Sequence, residues 1–154
     1  MPVNALRLDQ QLCFALYAAS RSMTQAYQPL LEPLGVTYPQ YLVLLVAWEE
    51  DGASVKRLGE RLQLDSGTLT PLLKRMAAQG LVERRRDPAD ERVVRIHLTA
   101  AGRALERRAR GVPKQLMCKA GLSVPEILEL RETLTRVTRK LRSERTHPSK
   151  DAPR

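Results

Sequence analysis

The chain is 154 residues long, with 26 Lys and Arg against 17 Asp and Glu, a net charge of +9 and an aromatic content of only 4%. That is one domain's worth of material with an aliphatic core, and no stretch approaches the roughly 18 apolar residues of a membrane span, so a spanning protein is excluded. The charge is segregated: residues 1–53 carry two basic and five acidic side chains, whereas residues 54–98 carry ten and six, and a basic surplus that begins partway along a chain points to a polyanion partner.

The N-terminal residues 1–9 contain no apolar signal-peptide core, which places the protein in the cytoplasm. Leu8, Leu12, Leu16, Ala19, Met23, Tyr27 and Leu30 recur at steps of three and four, one face of a first helix. Asp9 is positioned to cap it, and Pro29, Pro33 and Gly35 kink or end it. Thr37 and Gln40 make a capping box for a second helix, with Pro39 in its first turn. The run from Tyr41 to Trp48 is apolar almost all round, so this helix is central. Ser54 caps a short third helix with Val55, Leu58 and Leu62 facing inward. Asp65 or Ser66 caps a fourth, with Leu69, Leu72, Leu73 and Met76 inward and Gly80 as its stop. Two short helices joined near Leu64 have the form of a helix-turn-helix.

Two strands follow, over residues 81–86 and 92–98, with Val94, Ile96 and Leu98 alternating inward and Asp87-Pro88-Ala89-Asp90 as the turn. A basic hairpin directly after a helix-turn-helix reads as a wing. Thr99 caps a long helix carrying Leu105, Ala109 and Val112, bent at Pro113 and resuming over 116–122. Ser123 and Glu126 form a capping box for a last helix with Ile127, Leu130, Leu134, Val137 and Leu141 on one face. The fold class is therefore mainly α with a small β-wing, a winged helix-turn-helix within a single domain spanning 1–154. Residues 37–98 form the DNA-binding lobe. Residues 6–34 and 99–142 are long flanking helices whose apolar faces find little to cover in one chain, so they pair with a second copy. Residues 143–154 read as a disordered tail.

The exposed face of the fourth helix offers Ser66, Thr68, Thr70, Lys74 and Arg75: small polar groups that allow close approach to base edges, and cations for phosphate or guanine. The wing adds Arg84, Arg85, Arg86, Arg92 and Arg95, a crowding of like charge suited to a polyanion. Asp90 and Arg92 are spaced to pair across the turn as a structural link. The segment Asp90-Glu91-Arg92-Val93-Val94-Arg95-Ile96-His97-Leu98-Thr99-Ala100-Ala101-Gly102 resembles the wing signature of the MarR family, Asp-x-Arg, a strand, then Leu-Thr-x-x-Gly. The segment from Asp65 to Arg75 resembles that family's recognition helix. The resemblance covers roughly residues 8–142, and it implies a homodimer that binds a pseudo-palindromic operator in double-stranded DNA and represses transcription.

Cys13 and Cys118 are the two cysteines, 105 residues apart, too isolated from the two histidines to make a metal site. Read alone, Cys13 packs as a small hydrophobe. Two features weigh against that: its place near a helix N-terminus, where the dipole favours negative charge, and Tyr27 and Tyr38, whose hydroxyls need partners in apolar surroundings. Leu12-Cys13-Phe14-Ala15-Leu16-Tyr17 and Tyr38-Pro39-Gln40-Tyr41-Leu42-Val43-Leu44 are similar to the organic-hydroperoxide-sensing (OhrR) branch of the MarR family. That resemblance implies that Cys13 is the peroxide-reactive residue, that Tyr27 and Tyr38 of the other subunit hydrogen-bond it, and that Cys118 is the resolving thiol of an intersubunit disulfide. Phe14, Leu16, Met23 and Val43 are either core or the lining of a pocket for an alkyl hydroperoxide. His97 reads as a solvated strand residue, and His147 lies in the tail.

The alternative within the same family is a repressor released by a small phenolic or drug-like ligand, with both cysteines inert. An enzyme of the thiol-peroxidase type is disfavoured, because there is no Cys-x-x-Cys and no strand–helix alternation. A nonspecific chromosome-binding protein is compatible with the charge alone. No cofactor is expected.

Overall fold

The computed structural model describes residues 6–146 and divides into two compact units, Met1–Leu116 and Met117–Arg154. In the first unit, a 3₁₀ turn at Leu8–Gln10 precedes helix α1 (Leu12–Leu31). Asp9 does not cap α1: its carboxylate is taken by the Arg7 guanidinium through two 3.0 Å hydrogen bonds, and Gln11 is the N-cap without a side-chain bond. Pro29 sits in the last turn of α1 and leaves it intact to Leu31. A 3₁₀ turn at Glu32–Leu34 and Gly35, in the left-handed region at φ 69°, then reverse the chain.

Helix α2 (Tyr38–Glu49) opens on the full capping box. The Thr37 backbone N–H donates to Gln40 Oε1 (3.0 Å), and the Gln40 backbone N–H donates to Thr37 Oγ1 (3.5 Å). Gln40, Tyr41, Val43, Leu44, Val46 and Ala47 are all buried, so α2 is the axle of the unit. Ser54 caps α3 (Val55–Leu62), and Asp65 caps α4 (Ser66–Ala78) by accepting the Thr68 N–H at 2.9 Å. The α3–α4 connection is tight. Leu64 N–H donates back to the Gly59 carbonyl at 3.0 Å, and a Cβ on Gly59 would lie 2.9 Å from the Leu64 carbonyl oxygen. Leu58, Leu69, Leu72, Leu73 and Met76 fill the space beneath, each almost fully buried.

Strands β1 (Val82–Arg86) and β2 (Val94–Leu98) pair antiparallel, with Val82 opposite Leu98 and Arg85 opposite Arg95. A third stretch, unforeseen in the sequence, joins β2 on its other edge. Gly52 N–H donates to the Ile96 carbonyl (2.9 Å), and Ile96 N–H to the Ala53 carbonyl (3.0 Å), so the wing is hydrogen-bonded to the loop before α3.

Thr99 caps α5 (Ala100–Ala109). The single long helix expected from there, bent at Pro113, is instead two: α5 ends at Ala109, and α6 (Val112–Ala120) restarts with Pro113 in its first turn. Gly111 lies in the break, and proline is tolerated in a first turn because no donor is lost there. Leu105, Ala109, Val112 and Leu116 are buried. The boundary between the two units falls inside α6.

The second unit holds the end of α6 and helix α7 (Val124–Thr146). Of the foreseen Ser123–Glu126 box one half is present: the Ser123 N–H and hydroxyl both donate to the Glu126 carboxylate, at 2.8 and 2.5 Å. Helix α7 runs past Arg142 to Thr146, four residues into the expected tail; residues 147–154, including His147, lie outside the described residues. Leu128, Leu130, Leu134 and Leu141 of α7 are 36–60% exposed.

Candidate nucleic-acid interface and thiol site

Helix α4 buries its leucines and turns Ser66, Thr68, Lys74 and Arg75 to solvent, with Thr70 half-buried. Thr68 is partly committed: besides its N–H, its hydroxyl donates to Asp65 Oδ2 at 3.2 Å. The cap pulls the Asp65 carboxyl below its ordinary pKa, chiefly through the Thr68 N–H, so it stays ionised at the helix start.

The wing arginines differ in what holds them. Arg84, Arg85, Arg86 and Arg92 are exposed. Arg85 is ion-paired to Glu83, two residues earlier on the same face. Arg86 donates to the Glu91 carbonyl at 3.3 Å, across the hairpin. Asp90 receives both the backbone N–H and the Nε of Arg92, each at 3.1 Å, and its carboxyl is held below the usual range by those bonds. Arg95 is only half-exposed. It is ion-paired to Asp87, and its Nη1 donates to the Gly52 carbonyl at 3.1 Å. The side chain of Arg95 thus braces the wing from behind. The like charges of the facing Arg85 and Arg95 are each absorbed by a carboxylate, so the hairpin does not depend on a bound polyanion to exist.

Sequence patterning missed a second set of braces. Asp51 accepts the Leu98 N–H (2.8 Å) and Arg103 (2.5 Å), tying the end of α2 to β2 and α5. Glu50 takes Arg57 through two 3.0 Å bonds and also pairs with Arg61, whose other nitrogen reaches Glu49. Its carboxyl is held below its ordinary value, chiefly by Arg57. His97 is not a solvated strand residue. It is half-buried over Gly52, where an added Cβ would come within 2.9 Å of the ring, with Nδ1 4.0 Å from Asp51.

Cys13 is the second residue of α1, and it is exposed. Cys118 is exposed near the C-terminal end of α6. Tyr27 and Tyr38 stand together, ring centroids 4.6 Å apart, with Tyr41 5.8 Å from Tyr27. Burial, with the neighbouring phenols, pushes the Tyr27 pKa up to about 12, and burial raises Tyr38 as well. Both hydroxyls therefore remain protonated donors at neutral pH. Cys13 and Tyr27 are fourteen residues apart on one continuous helix, about 21 Å at 1.5 Å per residue, so the structure does not bring the thiol to the tyrosine pair of its own chain. Of the four apolar residues considered for core or a peroxide pocket, Val43 is fully buried core, Leu16 and Met23 are half-buried along α1, and Phe14 is 42% exposed. Among the described residues, no group of three or more His, Cys, Asp or Glu is placed to hold a metal ion, and no single helix is long and apolar enough to cross a membrane.

Comparison with known proteins places these features in context. The sequence pattern of the family described as transcriptional regulator SarA/Rot matches residues 25–108. The organic hydroperoxide resistance transcriptional regulator of Bacillus subtilis is 49% identical over 129 residues, 84% of this chain and 88% of that protein. Reduced AbfR bound to DNA, a Staphylococcus epidermidis protein, superposes with a TM-score of 0.76 at 36% identity, covering 92% of this chain and 99% of the other. The disulfide-formed state of AbfR superposes at 0.59 with 37% identity, covering 86% and 93%.

Proposed function

Because the chain belongs to the MarR/SarA-type winged-helix family of DNA-binding transcription regulators, we propose that it is a homodimeric cytoplasmic repressor released from a pseudo-palindromic operator when an organic hydroperoxide oxidises Cys13. The observation that carries this reading is the Tyr27–Tyr38 pair. Two neutral phenols, 4.6 Å apart and raised in pKa, form a ready donor pair for a thiolate. Their own Cys13 lies a helix length away. A second copy supplies the missing thiol, and each exposed Cys13 in turn finds the tyrosines of its partner.

The chemistry has two steps. The Cys13 thiolate attacks the terminal peroxide oxygen and the O–O bond breaks; the sulfur becomes a sulfenic acid, and the hydroperoxide leaves as the alcohol after taking up a proton. Cys118 of the partner subunit then attacks that sulfur, forming the disulfide and releasing water. A disulfide requires α carbons within about 7 Å, so if Cys13 and the partner's Cys118 start farther apart than that in the reduced dimer, closing the bond moves helices. Reading two half-sites at once depends on a fixed spacing of the two α4 helices, and losing one half-site forfeits the avidity of the pair. Ser66, Thr68, Thr70, Lys74 and Arg75 would face the major groove. Arg84, Arg85, Arg86 and Arg92 would follow the backbone or minor groove, and Arg95 would hold the wing that carries them.

A non-reducing gel before and after a stoichiometric organic hydroperoxide, with operator binding measured in parallel, tests the proposal. A band at dimer mass, reversed by thiol reductant, with loss of DNA binding, is expected for wild type. Cys13→Ser should bind the operator and ignore peroxide. A wild-type protein that keeps both monomer mobility and DNA binding would discard the redox trigger and leave a regulator answering to a small ligand.

A further inference from the structure

We infer that Gln40 is a positioning residue that links the Tyr38-bearing start of α2 to the DNA-reading helix α4, through its hydrogen bond to Gln79; the inference rests on the redox reading above. Among the described residues, Gln40 is the one buried polar side chain, 4% exposed. Its Oε1 accepts the Thr37 N–H at 3.0 Å, which turns its amide nitrogen the other way, where Nε2 donates to Gln79 Oε1 at 2.8 Å. The two bonds leave from opposite sides of one planar amide, so the turn carrying Tyr38 cannot shift without pulling on Gln79 or breaking a part-buried bond.

Gln79 is the C-cap of α4, and its N–H donates to the Arg75 carbonyl at 3.0 Å, one turn back on the exposed face. A pull at Gln79 is therefore a pull on the end of the helix that carries Lys74 and Arg75. The surroundings leave room for it. A groove of about 650 Å³ separates the α2 start from α4, bounded by Gly35, Thr37, Gln40, Leu72, Arg75 and Gln79. Another, of about 420 Å³, lies on the Tyr38 side, against Thr24 and Gln28. The amide pair spans this groove, beside the place where α2 and α4 meet in the common core.

Gln79 is exposed, so it can be changed without disturbing the core. Gln79→Met removes the acceptor at similar length, and Gln79→Glu restores an acceptor oxygen. The full-length protein is assayed for the rate at which a sulfenic-acid trap labels Cys13 under cumene hydroperoxide, and for operator affinity before and after oxidation. Q79M should be labelled at the wild-type rate while the ratio of reduced to oxidised affinity shrinks at least about threefold, and Q79E should recover the ratio. A residue with a merely structural part would weaken both states alike; an unchanged ratio in Q79M overturns the inference. If wild type itself keeps its affinity after Cys13 is labelled, the redox reading falls, and this inference with it; a responsive wild type beside an equally responsive Q79M sinks the inference alone.

Discussion

At Tyr27 the same desolvation that keeps the phenol a donor also makes the fold sensitive to alkali. Its pKa rises from 10.0 to about 12 because burial disfavours the phenolate and Tyr38 and Tyr41 add to that. Below pH 10 folded and unfolded chains both hold the proton, and the contribution to stability is complete. Between about 10 and 12 the unfolded chain releases it while the folded chain retains it, so stability falls as pH rises through that window. For a fully shielded group the difference is about 2.7 kcal/mol. Tyr27 is half-buried, and solvent screening reduces this to about 1 kcal/mol. Urea unfolding at pH 9 and pH 11.5 should show wild type losing about that much more than Tyr27→Phe, which has no proton to lose. At neutral pH the same variant should oxidise at Cys13 more slowly than wild type in a sulfenic-acid trapping assay. Equal alkaline losses would mean the ring is hydrated, and equal trapping rates would remove Tyr27 from the thiol site.

Among the elements, the junction of wing and α5 explains the Leu-Thr-x-x-Gly pattern physically. Thr99 caps α5 by accepting the Gly102 N–H, and its hydroxyl donates to the Gly80 carbonyl at 2.6 Å. Gly102 packs so closely on the backbone just before β1 that a Cβ would overlap the Leu81 carbonyl oxygen, while its own carbonyl accepts Trp48 Nε1–H at 3.0 Å. Gly102→Ala should therefore destabilise by about 2 kcal/mol or more, because the obstacle is backbone. Trp48 is the sole tryptophan, so its emission reports the change directly in urea titrations; an unshifted midpoint would show that α5 can slide. The caps at Thr37, Ser54, Asp65 and Thr99 were legible in the sequence because donor and acceptor lie three residues apart. Asp9 was misread because Arg7, within the same short reach, competes for its carboxylate. Arg95, His97 and Gln79 were opaque for a different reason: what fixes them is Gly52, Asp51 or Gln40, some forty residues away, and no local pattern encodes that proximity. The break between α5 and α6 shows the limit of reading proline alone, since α5 already ends at Ala109 and Pro113 merely begins the next helix.

For the whole molecule, the decisive quantity is the apolar surface a single chain leaves uncovered. Leu8, Leu12, Phe14 and Tyr17 at the start of the chain, and Leu128, Leu130, Leu134 and Leu141 on α7, are all more than a third exposed. Leu130, Leu134 and Leu141 recur on one helical face, the spacing of a helix–helix seam. Paired with a second copy, such a seam would be buried by the same residues on both sides, as two-fold symmetry requires. Leu130→Glu with Leu134→Glu should leave the far-ultraviolet dichroism of the chain intact, since neither side chain is buried in one subunit, while sedimentation mass falls from two chains to one. Operator affinity should then drop by about a hundredfold or more, the avidity of two linked half-sites. The same variant separates dimer from chemistry. If Tyr27 and Tyr38 reach Cys13 only across the interface, the monomer should also lose fast sulfenic-acid formation, although every residue of the thiol site is still present. A monomer that oxidises at the wild-type rate would mean that Cys13 needs no partner, and the roughly 21 Å between it and Tyr27 on α1 would then exclude the tyrosine pair from the reaction altogether.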